Sequence, residues 1–135
     1  MLISKQNVEV VQASFDAHGA GGIEASLPLY SPNCVWDAGP DWLEDRIYHG
    51  HDGLRRVDGV FRENFEDYAL TVHEMRDLGE RVLALYEATG RIKGSGLPIR
   101  QPIGIVFSGF DNERIGEVRS FFSWKEALKA VGLEG

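Results

Sequence analysis

The sequence predicts an α+β fold in which a strongly curved antiparallel sheet wraps around helices. Three observations carry this. From Arg81 to Trp124, long apolar runs are joined by short connections rich in Gly, Asn and Asp, the pattern of an antiparallel meander. The run Val82-Leu83-Ala84-Leu85-Tyr86 is apolar at odd and even positions alike, so both faces of the sheet need cover. Upstream of residue 66, apolar residues recur at helical spacing and supply that cover.

In chain order, Val8, Val11 and Phe15 predict an amphipathic helix over residues 4–18, ended by Gly19, Gly21 and Gly22. Ile23, Leu27 and Tyr30 mark a second, shorter helix. It stops at Ser31-Pro32, because proline disfavours helix in the residue before it. Residues 33–37, Asn-Cys-Val-Trp-Asp, read as a short strand. Residues 38–51 form a loop holding Gly39-Pro40, Trp42 and Tyr48, of a length that suits a lid or pocket rim. Asp52 is placed to cap a third helix, whose apolar face is Leu54, Val57, Val60, Phe61 and Phe65. Its outer face carries Arg55, Arg56, Arg62, Glu63 and Glu66. A strand over 68–77 turns at Leu78-Gly79-Glu80 into the meander strands at 82–89, 99–110 and 115–122. Ser123 and Glu126 match a capping box, and Trp124, Leu128 and Val131 form one stripe closed by Gly132. Helices gathered on one side of such a twisted sheet leave a conical cavity rather than a filled sandwich.

Length and composition bound the function. The 135 residues form a single domain, 1–135, and 43% hydrophobic with 26% charged residues is a globular composition. A net charge of −7, spread along the chain, argues against nucleic acid and against an anionic membrane surface as partners. No apolar run approaches the roughly 20 residues of a membrane span, and the opening residues lack a signal-peptide core. A cytoplasmic location is the expectation. Cys34, the single cysteine, forms no internal disulfide and reads as a small buried residue. There is no phosphate loop, no GxGxxG after a strand, no GxSxG and no CxxC. His49 and His51 flank Gly50, but two histidines without a third ligand do not make a metal site. Neither a metal nor a cofactor is called for.

The order of elements, the Val-Trp-Asp strand before a long loop, Tyr48-x-Gly50-x-x-Gly53 and the closing Ala127-Leu128-x-x-x-Gly132-Leu133 resemble the nuclear transport factor 2-like superfamily. Within it the chain is most similar to small SnoaL-like and ketosteroid isomerase-like proteins. The resemblance implies a cystatin-like roll around a pocket for a small apolar organic ligand. It also implies a homodimer through the outer sheet face, where Glu117 and Arg119, two apart, are expected to pair. As these folds host many functions, the resemblance bears on fold more than on chemistry.

Candidate chemistry centres on Asp37. Strand alternation puts Val35 and Asp37 on one face, and Asp37 ends the strand just before Gly39-Pro40, at the mouth of a cavity. In the isomerases the position that it resembles holds a general base, and an apolar pocket raises a carboxyl pKa toward useful values. The alternative is an Asx-type cap on the loop beyond it. The isomerases' oxyanion donors are missing: Ser14 and Phe15 stand near the place of a helical tyrosine, and Val106 near that of a protonated aspartate. Steroid isomerisation is therefore not expected. His73, mid-strand, is the second catalytic candidate, or simply a strand histidine. Tyr86, Ser108 and Ser120 are candidates for orienting a ligand. Val35, Phe15, Trp42, Tyr48, Phe61 and Phe65 are candidate wall and rim residues, with Phe61 and Phe65 equally readable as core. The two functional readings are a cofactor-independent acid/base enzyme acting on a hydrophobic cyclic carbonyl compound, and a non-catalytic ligand-binding module.

Overall fold

The computed structural model describes residues 2–133 except 41, 43 and 44, so part of the 38–51 loop lies outside the described residues. The elements run α1 (Leu2–Ser26), a 3₁₀ turn (Leu27–Leu29), β1 (Tyr30–Asp37), β2 (Ile47–His49), α2 (Gly50–Asn64), β3 (Phe65–Asp77), β4 (Val82–Ile92), β5 (Pro98–Ser108), β6 (Ile115–Phe121) and α3 (Trp124–Ala130). Strands β3 to β6 form the expected antiparallel meander. The sheet order is β2-β1-β6-β5-β4-β3, and β1 runs parallel to β6, so the sheet is mixed rather than purely antiparallel. Its inner face meets α1 and α2 in the main core, where Val11, Val82, Ile105, Phe107 and Ile115 are fully or almost fully buried.

Several boundaries differ from expectation for identifiable reasons. The first helix runs straight through Gly19 and Gly21, since a helical glycine costs only about 1 kcal/mol relative to alanine, and breaks at Gly22, the residue with φ 74° and ψ −165°. Beyond the break come four more helical residues and one 3₁₀ turn, not a second full helix. Tyr30 belongs to β1, and Pro32 sits where the β1–β6 register shifts, which is where a strand tolerates a residue without N–H. The cap of α2 is His49 rather than Asp52. Asp52 lies inside the first turn and accepts instead from Arg55 Nη1 at 2.6 Å. The 38–51 segment is not all loop, because β2 pairs with β1 within it. Ser123 does cap α3, its Oγ accepting from Glu126 N at 3.3 Å.

Helix α3 occupies the opposite side of the sheet from α1 and α2. Leu83, Leu85, Val106 and Ala127 form a separate buried cluster beneath it, with Trp124 and Leu128 packed alongside. Helices thus cover both faces. The fit is tight at Gly104, where a methyl group would stand 2.2 Å from Ala127 Cβ. Among the described residues no helix is long and apolar enough to cross a membrane.

Candidate functional site

Helical periodicity builds the site. On α1, Val11, Ser14, Phe15 and His18 share one stripe; on α2, Leu54, Asp58 and Phe61 share another. Both stripes face the concave side of the sheet, and between them lies a cavity of ≈ 60 Å³. Phe15, Phe61, Tyr68, Tyr86, Trp36 and Phe107 give it a largely aromatic wall. Tyr86 meets Phe15 edge-on with centroids 5.2 Å apart, and Tyr68 stacks on Phe61 at 5.0 Å. These pairings hold the rings by offset and edge contacts that aromatic quadrupoles favour.

Two polar side chains enter this wall from different helices. His18 Nε2 and Asp58 Oδ1 are 2.9 Å apart, with side-chain exposures of 14% and 5%. Arg62, one helical turn beyond Asp58, donates from Nε to Asp58 Oδ2. Burial pushes the Asp58 carboxyl up, but the hydrogen bonds and charges of His18 and Arg62 outweigh it and hold the group below its ordinary range. Asp58 is thus a buried, ionised acceptor that orients the imidazole. With Nε2 donating to it, Nδ1 is left as an acceptor with no partner among the described residues. Tyr68 stands edge-on to the His18 ring at 5.8 Å.

Hydrogen-bond donors surround the pair. Trp36 Nε1 is buried without a partner among the described residues, an uncompensated donor on a residue of the cavity wall. The phenol groups of Tyr30, Tyr68 and Tyr86 are all pushed up by burial, that of Tyr30 to about 12. At neutral pH each is a neutral donor. The wall therefore supplies donors at positions other than the two that are missing by comparison with the isomerases.

The residues singled out from the sequence fall into two groups. Phe15, Phe61 and Tyr86 line the cavity. Phe65 and Trp42 stand one layer back, each within 6.2 Å of the Phe61 ring, and Trp42 also stacks on Phe122. The others lie elsewhere. Asp37 accepts from Gly39 N at 2.9 Å and from Arg46 Nε and Nη2 at 2.8 and 3.2 Å. The Arg46 hydrogen bond chiefly holds its carboxyl below the usual range, and the Gly39 contact makes Asp37 an Asx-type cap on its loop. Tyr48 is buried in a satellite cluster and accepts from Trp42 Nε1 at 2.8 Å. Ser120 donates to Asp37 O, and Val35 pairs across to His49 and Glu117. Ser108 stands two residues beyond Val106 in an unbroken register, on the α3 side of the sheet. His73 follows the core-facing Val72 at a bulge in β3 and lies on the opposite face. It pairs with Glu87 at 2.7 Å and leans on Trp124.

Other polar residues are accounted for structurally. Glu117 and Arg119 form no ion pair with each other; Arg119 lies over the Phe121 ring, 5.3 Å from its centroid. His51 bonds the Tyr30 carbonyl at 2.9 Å. Cys34 is buried in the core, and desolvation raises its thiol pKa. Among the described residues no group of three or more His, Cys, Asp or Glu side chains is arranged to hold a metal ion.

Comparison with known proteins fits this geometry. The model of the SnoaL-like domain matches residues 11–118. No curated protein matches the chain. Among solved structures, an NTF2-like protein of unknown function from Burkholderia pseudomallei is 19% identical, with a TM-score of 0.75 over 92% of this chain and 95% of that one. A putative SnoaL-like polyketide cyclase from a Jannaschia species is 22% identical, with a TM-score of 0.74 over 95% and 90%. A protein with a ketosteroid isomerase-like fold from Catenulispora acidiphila, solved with trimethylamine, is 18% identical, with a TM-score of 0.72 over 93% of each chain. At these identities the solved structures speak for the fold. The match of the family model over most of the length shows that this chain belongs to the SnoaL-like domain family, in an NTF2-like fold.

Proposed function

We propose that the chain binds a small, mostly apolar organic molecule in the α1–α2–sheet cavity and performs cofactor-independent acid/base chemistry on a carbonyl compound there. The observation that carries this is the His18–Asp58 pair set into an aromatic wall. His18 Nδ1 takes a proton from the carbon next to the substrate carbonyl, while Asp58 holds the tautomer and stabilises the imidazolium. The electron pair moves onto the carbonyl oxygen, where Trp36 Nε1 or a tyrosine hydroxyl donates to the enolate. The cycle closes when the imidazolium returns the proton to another carbon as the carbonyl re-forms, an isomerisation, or gives it to a β-hydroxyl that leaves as water, a dehydration. This reading moves the base from Asp37 to His18, because both Asp37 oxygens are engaged by Arg46 or Gly39. The Jannaschia neighbour is described as a putative polyketide cyclase, which agrees with small-molecule chemistry in this fold. The homodimer expected through the outer sheet face remains part of the reading, with sedimentation velocity as its check.

The test is hydrogen–deuterium exchange at the α-carbon of 2-tetralone, monitored by proton NMR. The native chain should accelerate exchange over buffer, and His18→Gln should lose at least about 100-fold of that acceleration, the lower range for a general base. One observation favours a second reading, a non-catalytic binding module: Asp58 bridges His18 of α1 and Arg62 of α2, which also suits a purely structural clasp. Saturable binding of 2-tetralone with no acceleration of exchange would decide for the module.

A further inference from the structure

Resting on the reading that the cavity takes a small organic ligand, we propose that this ligand carries a carboxylate, held outside the cavity by Arg62. The cavity itself, ≈ 60 Å³, is smaller than a substituted ring needs. A larger groove of ≈ 390 Å³ adjoins it, and the two share Phe15, His18, Tyr68 and Leu70. A ligand with its reacting end beside His18 therefore extends into this groove.

The far wall of the groove is the Gly19-Ala20-Gly21-Gly22 end of α1 together with Arg62. At Gly19 an added methyl group would meet nothing within 4 Å, so the groove is open there. Gly22 has a φ of 74°, which suits glycine, and the Arg62 guanidinium lies close against it: a methyl group there would stand 2.7 Å from Nη2. Its Nε is committed to Asp58, but neither terminal nitrogen has a partner among the described residues, and the side chain is 54% exposed. The free end-on edge, formed by the two terminal nitrogens, is matched by a carboxylate better than by any neutral acceptor. No carboxylate lines the groove among the described residues, although the chain as a whole carries −7. The substrate class implied is a short amphipathic acid, with its carbonyl-bearing end beside His18 in the cavity and its remaining body and carboxylate along the groove toward Arg62.

The test compares 3-phenylpropionate with 3-phenylpropionamide, a pair of nearly equal shape, by NMR titration that includes the Trp36 indole N–H signal. The native chain should bind the acid about tenfold more tightly, the ratio given by one charge-assisted contact near 1.4 kcal/mol. In Arg62→Gln the ratio should fall to within about twofold while amide affinity is kept. Arg62→Lys, which keeps charge but loses the fork, should retain an intermediate preference and controls for folding. Equal affinity for acid and amide in the native chain, or a preference that survives in Arg62→Gln, overturns the Arg62 assignment and leaves the cavity reading standing. Absence of any shift at Trp36 with either probe overturns the cavity reading, and the assignment with it.

Discussion

Asp58→Asn separates the charge of the buried carboxylate from its shape. Asp58 is 5% exposed and its His18 partner 14%, so their hydrogen bond is shielded from water and screened little by salt. A hydrogen bond to a charged group contributes about 1.5–3 kcal/mol. Asparagine keeps one oxygen acceptor but no charge, and loses most of that. The Arg62 bond adds little, because its guanidinium is half in water and exposed i,i+4 pairs are worth about 0.3–0.5 kcal/mol. The expected loss is about 2 kcal/mol at pH 7, a roughly thirtyfold shift in the folding equilibrium. The pH dependence is more diagnostic than the size. Because the folded-state pKa of Asp58 lies below the unfolded value of 3.8, its contribution is complete above that value and disappears as pH falls through the folded one. Urea melts of the native chain and of Asp58→Asn between pH 7 and pH 3 should therefore show a gap that is wide at pH 7 and narrows as pH falls below about 4. A gap of equal width at both ends, or a variant as stable as the native chain at pH 7, would refute the assignment of Asp58 as a buried ionised acceptor.

Two further perturbations probe the rest of the framework. Asp37→Asn breaks a half-exposed pair with Arg46 and should leave the 2-tetralone exchange rate within about threefold of native; a loss near 100-fold would return Asp37 to the role of base. Gly104→Ala puts a methyl group into Ala127 across the β5–α3 contact. Overpacking there should cost about 1–3 kcal/mol in urea unfolding monitored by Trp124 fluorescence, and an unchanged midpoint would mean that α3 shifts freely over the sheet.

The meander was legible because β-branched and aromatic runs alternate with Gly- and Asn-rich turns, and because strand pairing there is local. The parallel β1–β6 contact was not, since nothing in Val35-Trp36-Asp37 names a partner some eighty residues away. The His18–Asp58 pair was passed over for a subtler reason. Asp58 falls on the same helical stripe as Leu54 and Phe61, and His18 on that of Val11 and Phe15, so each is a polar residue on a buried face. Reading those stripes as purely apolar hid them; one polar residue at an inward position on each of two helices was the available signal. Asp37 drew notice as an aspartate closing a strand, and Arg46, nine residues on in the loop, carries nothing in its spacing to announce the pair. His73 was named only as a mid-strand histidine; it follows Val72, which packs on the core, so alternation along β3 turns it to the α3 side.

The parallel pairing of β1 with β6 also has a bearing on how the molecule assembles. Residues 30–37 must wait for residues 115–121 before their edge is covered, whereas β3, β4 and β5 can zip together from adjacent hairpins. Loop closure over such a span is slow compared with hairpin formation, so the order of events should be meander first and β1 docking late. Helices α1 and α2 precede the meander in sequence but have no surface to pack on until it exists. On the ribosome, His18 and Asp58 emerge early and meet late. The cavity is thus a property that the chain acquires at the end of folding, all at once, and destabilising the β1–β6 seam should empty the population of molecules with a formed cavity before it unravels the meander.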